Sequence, residues 1–113
     1  MSATTLRAKA DALIAATNAF DADTVLTLFA PDAVIDDPST GHRFDGHVGI
    51  RDYIDRYFAG YHTVTRFLSI EMTGKAQARV RVDFTGDFGH EIGLLDISIN
   101  SDGLIVRIDA DLE

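Results

Sequence analysis

At His62 the spacing of apolar residues changes from a period near 3.6 to a period of 2, and it does not change back. A chain patterned this way buries its apolar side by laying helices on a sheet, an α+β layout. Before His62, Leu6, Ala10, Leu13, Ile14 and Thr17 describe one helical stripe, with Thr4 or Thr5 as its cap and an end near Asn18. A second, shorter helix follows Asp21 or Asp23 and carries Val25, Leu26, Leu28 and Phe29. Ala30-Pro31 closes it, because the residue before a proline is driven out of the helical region. Residues 33–37 then read as a short strand ending at Pro38, and 39–45 as a polar loop. Gly46 opens a third helix, in which Ile50, Tyr53, Ile54, Tyr57, Phe58 and Tyr61 share a buried side and Gly60 stands at the C-terminal cap.

After His62 the pattern predicts four strands, over 63–73, 76–87, 90–100 and 104–112. The breaks at Gly74-Lys75, Phe88-Gly89 and Ser101-Asp102-Gly103 are short enough to make every neighbour antiparallel. Ala78, Val80, Val82, Phe84 and Phe88 fall on one face of their strand, while Arg79, Arg81 and Asp83 fall on the other. In the last strand Leu104, Val106, Ile108, Ala110 and Leu112 oppose Ile105, Arg107, Asp109 and Asp111. The strand between them is apolar on both sides: Ile92 and Leu94 share a face with Asp96, and Leu95, Ile97 and Ile99 make the other. A strand apolar on both faces is covered on both faces. Helices cover one, and a second copy of the chain is expected over Leu95, Ile97 and Ile99. The result is a two-fold homodimer through the outer sheet face, rimmed by Arg79, Arg81, Asp83 and Arg107.

The chain has 113 residues, which is one domain spanning 1–113. It carries 10 Lys and Arg against 18 Asp and Glu, a formal charge of −8, so neither nucleic acid nor an anionic membrane surface is an expected partner. There is no cysteine, hence no disulfide and no thiolate nucleophile. His42, His47, His62 and His90 show no metal-site spacing, and no phosphate-binding glycine loop is present, so neither metal nor cofactor is expected. The N-terminal residues lack the basic start and apolar stretch of a secretory leader, and no run is long enough to span a membrane. The expectation is a cytoplasmic protein.

The run from Thr24 through Phe29-Ala30-Pro31-Asp32-Ala33-Val34-Ile35-Asp36-Asp37-Pro38 to Gly46-His47-Val48-Gly49-Ile50-Arg51-Asp52-Tyr53 resembles the nuclear transport factor 2-like superfamily. Within it, the chain looks most like the ketosteroid isomerase and SnoaL-like polyketide cyclase branch. That resemblance covers nearly the whole chain. It implies three helices packed over the concave face of a cone-shaped, curved, mostly antiparallel sheet around a deep pocket. It also implies roles: Asp37, before Pro38, matches the family's general base, and Asp96, in Leu94-Leu95-Asp96-Ile97-Ser98, matches its second acid. Leu13 stands where the family has a tyrosine that donates to the oxyanion.

The residues themselves bear on the same chemistry. Ala33, Ile35 and Asp37 alternate onto one face of their strand, which sends Asp37 inward. A carboxylate in an apolar pocket is suited to base catalysis, although Asp-Pro is also a common turn initiator. Asp96 sits among Leu94, Leu95 and Ile97 with no basic residue near it in its own strand, which suits a protonated donor or a structural carboxylate. Ile35, Tyr53, Tyr57, Val82, Phe84, Leu94, Ile108, Ala110 and Leu112 are the expected lining for a small apolar ligand. Two functions compete. One is a cofactor-independent enzyme of acid–base proton transfer (isomerisation, cyclisation or dehydration) on an apolar, carbonyl-bearing substrate. The other is a non-catalytic module that binds a hydrophobic ligand or dimerises. Asp37 and Asp96 favour the first, and Leu13 favours the second.

Overall fold

The two periods become two layers. In the computed structural model residues 3–113 are described, with side chains from Thr5 onward. Three helices, α1 (Ala3–Asn18), α2 (Ala22–Thr27) and α3 (Gly46–Ile54), lie over one face of a sheet built from β1 (Phe29–Asp37), β2 (His42–Asp45), β3 (Val64–Gly74), β4 (Gln77–Gly86), β5 (Gly89–Ile99) and β6 (Ile105–Leu112). The strand order is β2-β1-β6-β5-β4-β3. Every neighbouring pair is antiparallel except β1 and β6, which run parallel and pair Ile35 with Ile108. Register slips in the β3–β4 and β5–β6 pairs bend the sheet around the helices. The expected α+β architecture is the one observed.

Several local expectations are revised. α1 starts at Ala3, so Thr4 and Thr5 lie within its first turn, and its cap falls outside the described residues. α2 stops at Thr27, and Phe29 opens a strand four residues earlier than the sequence pattern placed it. The segment expected to be a polar loop contains β2, which forms a hairpin with β1. Gly60 is not a left-handed cap: its φ is −62°, and His62 takes the left-handed conformation at φ 55°. Gly60 is needed because a Cβ there would run into the carbonyl oxygen of Arg56.

The inner face follows the alternation in β4, where Ala78, Val80 and Val82 are buried. In β6 the slip makes Val106 an extra residue, so Ile105 and Ile108 are both buried although they have opposite parity. In β5 the inner set is Gly93, Ile97 and Ile99, with Leu95 packed against the core. The apolar set assigned to a dimer contact is therefore the set that the helices cover. The outer face presents Ile92 and Leu94 among charges: Arg79 pairs with Asp96, Arg81 with Glu113, Arg66 with Asp83, and Arg107 with Asp36 and Asp109. Both parities of β5 are apolar in sequence, so nothing in the pattern identified which one faced in.

β3 is a sheet edge, and an edge leaves backbone groups without a neighbouring strand. Asn18, the last residue of α1, meets part of this need. Its Nδ2 donates to the Thr65 carbonyl at 2.9 Å, and its Oδ1 accepts from the Thr65 N–H at 2.7 Å. The side chain thereby ties the first helix to the edge strand. Asn18→Ala should lower the stability of the protein by about 1–2 kcal/mol, since two partly buried backbone groups lose their partner. Urea denaturation checks this, with an unchanged slope expected.

Candidate functional site

Asp37 is the last residue of β1 and turns inward, as alternation from Ile35 requires. It is 7% exposed. One oxygen, Oδ1, caps the single 3-10 turn at Pro38–Thr40, accepting from the Ser39 N–H at 3.1 Å and the Ser39 hydroxyl at 2.6 Å. The other, Oδ2, accepts from the Tyr53 hydroxyl at 2.6 Å. One side chain thus does two things: Oδ1 starts the turn, and Oδ2 meets Tyr53 in the interior. Among the described residues no Lys, Arg or His pairs with it. Its hydrogen-bond partners among the described residues are the Ser39 N–H and the hydroxyls of Ser39 and Tyr53.

Tyr53 stands in the last turn of α3, ahead of the point where the helix widens. α3 passes into a π-helical turn, Asp55–Ala59, and this wider turn brings Phe58 onto the buried side with Tyr53. Tyr57 becomes half-buried and Tyr61 exposed, so the equally spaced tyrosines run from the interior outward. Phe88 lies in the turn after β4, at the break expected there rather than on the strand's apolar face, and meets Tyr61 edge-on with ring centroids 6.2 Å apart.

Two spaces adjoin this group. An open cleft of about 300 Å³ is lined by Asp37, Ser39, Tyr57, Tyr61, Phe88 and Leu112. A chamber of about 30 Å³ lies beyond it, lined by Leu13, Thr17, Ile35, Thr65, Leu95, Ile108 and Ala110. Tyr53, Phe58 and Phe84 line both and form the partition. Phe84 has room for its ring because Gly93, on the neighbouring strand, has no Cβ to strike it.

Of the lining predicted from sequence, Ile35, Ile108 and Ala110 reach the chamber, Tyr57 and Leu112 the cleft, and Tyr53 and Phe84 both. Val82 is fully buried in the core and lines neither space. Leu94 and Asp96 are on the opposite face of the sheet. Asp96 is not brought to Asp37: it accepts from Arg79 Nε at 2.8 Å and Nη2 at 3.1 Å, a two-pronged pair between facing residues of β4 and β5. This bond, together with the carboxylate's charge, raises the pKa of Arg79 above the ordinary arginine value. The cation that the strand itself lacks comes from the strand beside it. His47 is also elsewhere, its Nε2 donating to the Phe29 carbonyl at 3.0 Å. Among the described residues no three His, Asp or Glu side chains are placed to hold a metal ion. Ser39, Phe58 and Thr65 were missed. Ser39 carried a signal, since Asp-Pro-Ser is an apt turn start, whereas a threonine in a strand is unremarkable.

The profile of the SnoaL-like domain matches residues 10–108. The chain belongs to the SnoaL-like domain family. This SnoaL-like domain also superposes on solved structures. A provisionally named polyketide cyclase from Sinorhizobium meliloti is 27% identical, with a TM-score of 0.83 over 91% of this chain and 93% of that one. A provisionally named ketosteroid isomerase from Kribbella flavida is 20% identical, with a TM-score of 0.84 over 97% and 78%. A Mycobacterium tuberculosis protein solved with estradiol-17β-hemisuccinate is 17% identical, with a TM-score of 0.80 over 94% and 92%. No curated protein matches the sequence significantly. Among the described residues of the SnoaL-like domain, no helix is long and apolar enough to cross a membrane.

Burial pushes the Tyr53 hydroxyl well above the usual tyrosine value, and the adjacent Asp37 charge and hydrogen bond add to the shift. An unfolded chain releases this proton near pH 10, the folded one only higher. Tyr53 therefore favours folding fully below that pH, and its contribution is lost as the pH rises further. In an alkaline titration followed by phenolate absorbance, the Tyr53 component should emerge only with unfolding and vanish in Tyr53→Phe. A folded protein with Tyr53 ionised at pH 10 would contradict this.

Proposed function

We propose that the domain is a small-molecule enzyme in which Asp37 moves a proton on an apolar, carbonyl-bearing ring held in the aromatic cleft. The observation that carries this reading is the setting of Asp37: a buried carboxyl at a cavity, held by hydroxyls and paired with no cation among the described residues. Such a group can take a proton from the carbon beside a carbonyl, the electron pair moving onto the carbonyl oxygen. Returning that proton to another carbon completes an isomerisation. The same enolate begins a cyclisation or a dehydration. Tyr53 holds Asp37 in place, and Tyr57 and Tyr61 line the space where the enolate oxygen would sit. Flat aromatic walls suit a fused-ring ligand, in keeping with the steroid ester carried by the mycobacterial neighbour.

The rival reading, a binding module without chemistry, is favoured by two placements. Leu13, at the position of the family's tyrosine, has no hydroxyl to donate, and Asp96 is occupied by Arg79 on the other face. Hydrogen–deuterium exchange separates the readings. Cyclic enones in D2O, followed by proton NMR, should exchange α-hydrogens in the presence of the protein. Asp37→Asn should cut that rate by at least about a hundredfold, the usual range for losing a positioned base. Binding of the enones with no exchange above background would leave the module reading standing.

A further inference from the structure

Thr65 is the odd member of the chamber wall. It is 4% exposed, and its hydroxyl oxygen has no hydrogen-bond partner. A buried hydroxyl left unpaired costs stability, so its presence requires a reason. Its neighbours do not supply a partner. Neither of the other polar side chains that line the chamber bonds it: Thr17 donates to the Ile14 carbonyl at 3.0 Å and Tyr53 to Asp37. The remainder of the wall is apolar. Nor is the residue loosely held: Asn18 fixes its backbone at both the N–H and the carbonyl. The fold thus positions Thr65 firmly and leaves its hydroxyl unused.

We infer that the chamber is a subsite for a single oxygen substituent of the ligand, a hydroxyl or carbonyl, recognised by Thr65. Its volume of about 30 Å³ is room for a group the size of a water or two, which one oxygen substituent matches. The body of the ligand lies in the cleft, and the substituent passes the partition of Tyr53, Phe58 and Phe84. The ligand is therefore oxygenated twice, once where Asp37 acts and once at the end that enters the chamber. This inference rests on the reading that the Asp37 cleft takes an apolar ring. It does not require that Asp37 be catalytic.

Two measurements test it. The first uses 2-naphthol and 2,6-dihydroxynaphthalene, which differ by one hydroxyl, with affinities read by fluorescence. The diol should bind the unaltered protein about five- to tenfold more tightly. That advantage should disappear in Thr65→Val, which keeps the shape and removes the hydroxyl. The second needs no ligand. With an unpaired hydroxyl replaced by a methyl, the empty Thr65→Val protein should melt about 2–5 °C higher than the unaltered one. A lower melting temperature overturns the inference, because the hydroxyl would then be held by a partner such as a bound water. It is equally overturned if the diol's advantage survives Thr65→Val, or if neither probe binds. A protein that prefers the diol but exchanges no α-hydrogens keeps this inference and loses the catalytic reading.

Discussion

The parallel pairing of the first strand with the last is the contact on which the arrangement depends. β1 enters the sheet between its own hairpin partner and β6, joining residues some seventy positions apart. Without it, residues 64–112 would be a meander with one apolar face, and the segment leading to Asp37 would have no sheet to end on. With it, the C-terminal end of β1 brings Asp37 beside α3, within reach of Tyr53. The loop-closure cost of so distant a pairing must be met by what it buries, and Ala33, Ile35, Ile105 and Ile108 are all nearly inaccessible.

What could be read from the residues depended on whether one interaction or two decided the outcome. The faces of β4 were legible because its alternation is clean: Val80 and Val82 can only go inward, Arg79 and Arg81 only outward. Asp37 was legible for the same reason, two residues beyond Ile35. β5 was not, because both of its parities are apolar and the choice was made by packing into the core. Asp96 was lost with it: its partner is a residue of another strand, seventeen positions away, that no reading within β5 can see. The slip at Val106 is likewise settled between strands, where Ser98 and Ile99 of β5 pair with Arg107 and Ile105. The hairpin of β2 escaped because its only buried residue is Phe44, too little for a period to show.

The site has a division of labour that follows from burial. Charge is kept at the boundary, where Asp37 meets hydroxyls and the open cleft. The chamber behind it is almost wholly hydrocarbon. The sheet's far side reverses this, with arginines and carboxylates paired across neighbouring strands and partly in water. Such exposed pairs add little stability individually. Asp96 is the clearest case: Arg79 holds its carboxylate on the outer face.

The wide turn after α3 has a further meaning. A π-helical turn is an α-helix with one residue too many, and each residue of an α-helix advances the direction of a side chain by about 100°. Chain length at residues 55–59 therefore works as a rotary setting for everything that follows. With the extra residue, Phe58 joins the partition and Tyr57 and Tyr61 open onto the cleft. Shortened by one, the same sequence of side chains would present a different ring to the interior and turn another tyrosine to solvent. In a scaffold whose sheet is this constrained, a single insertion or deletion there is a more direct route to a new ligand than any substitution in the strands.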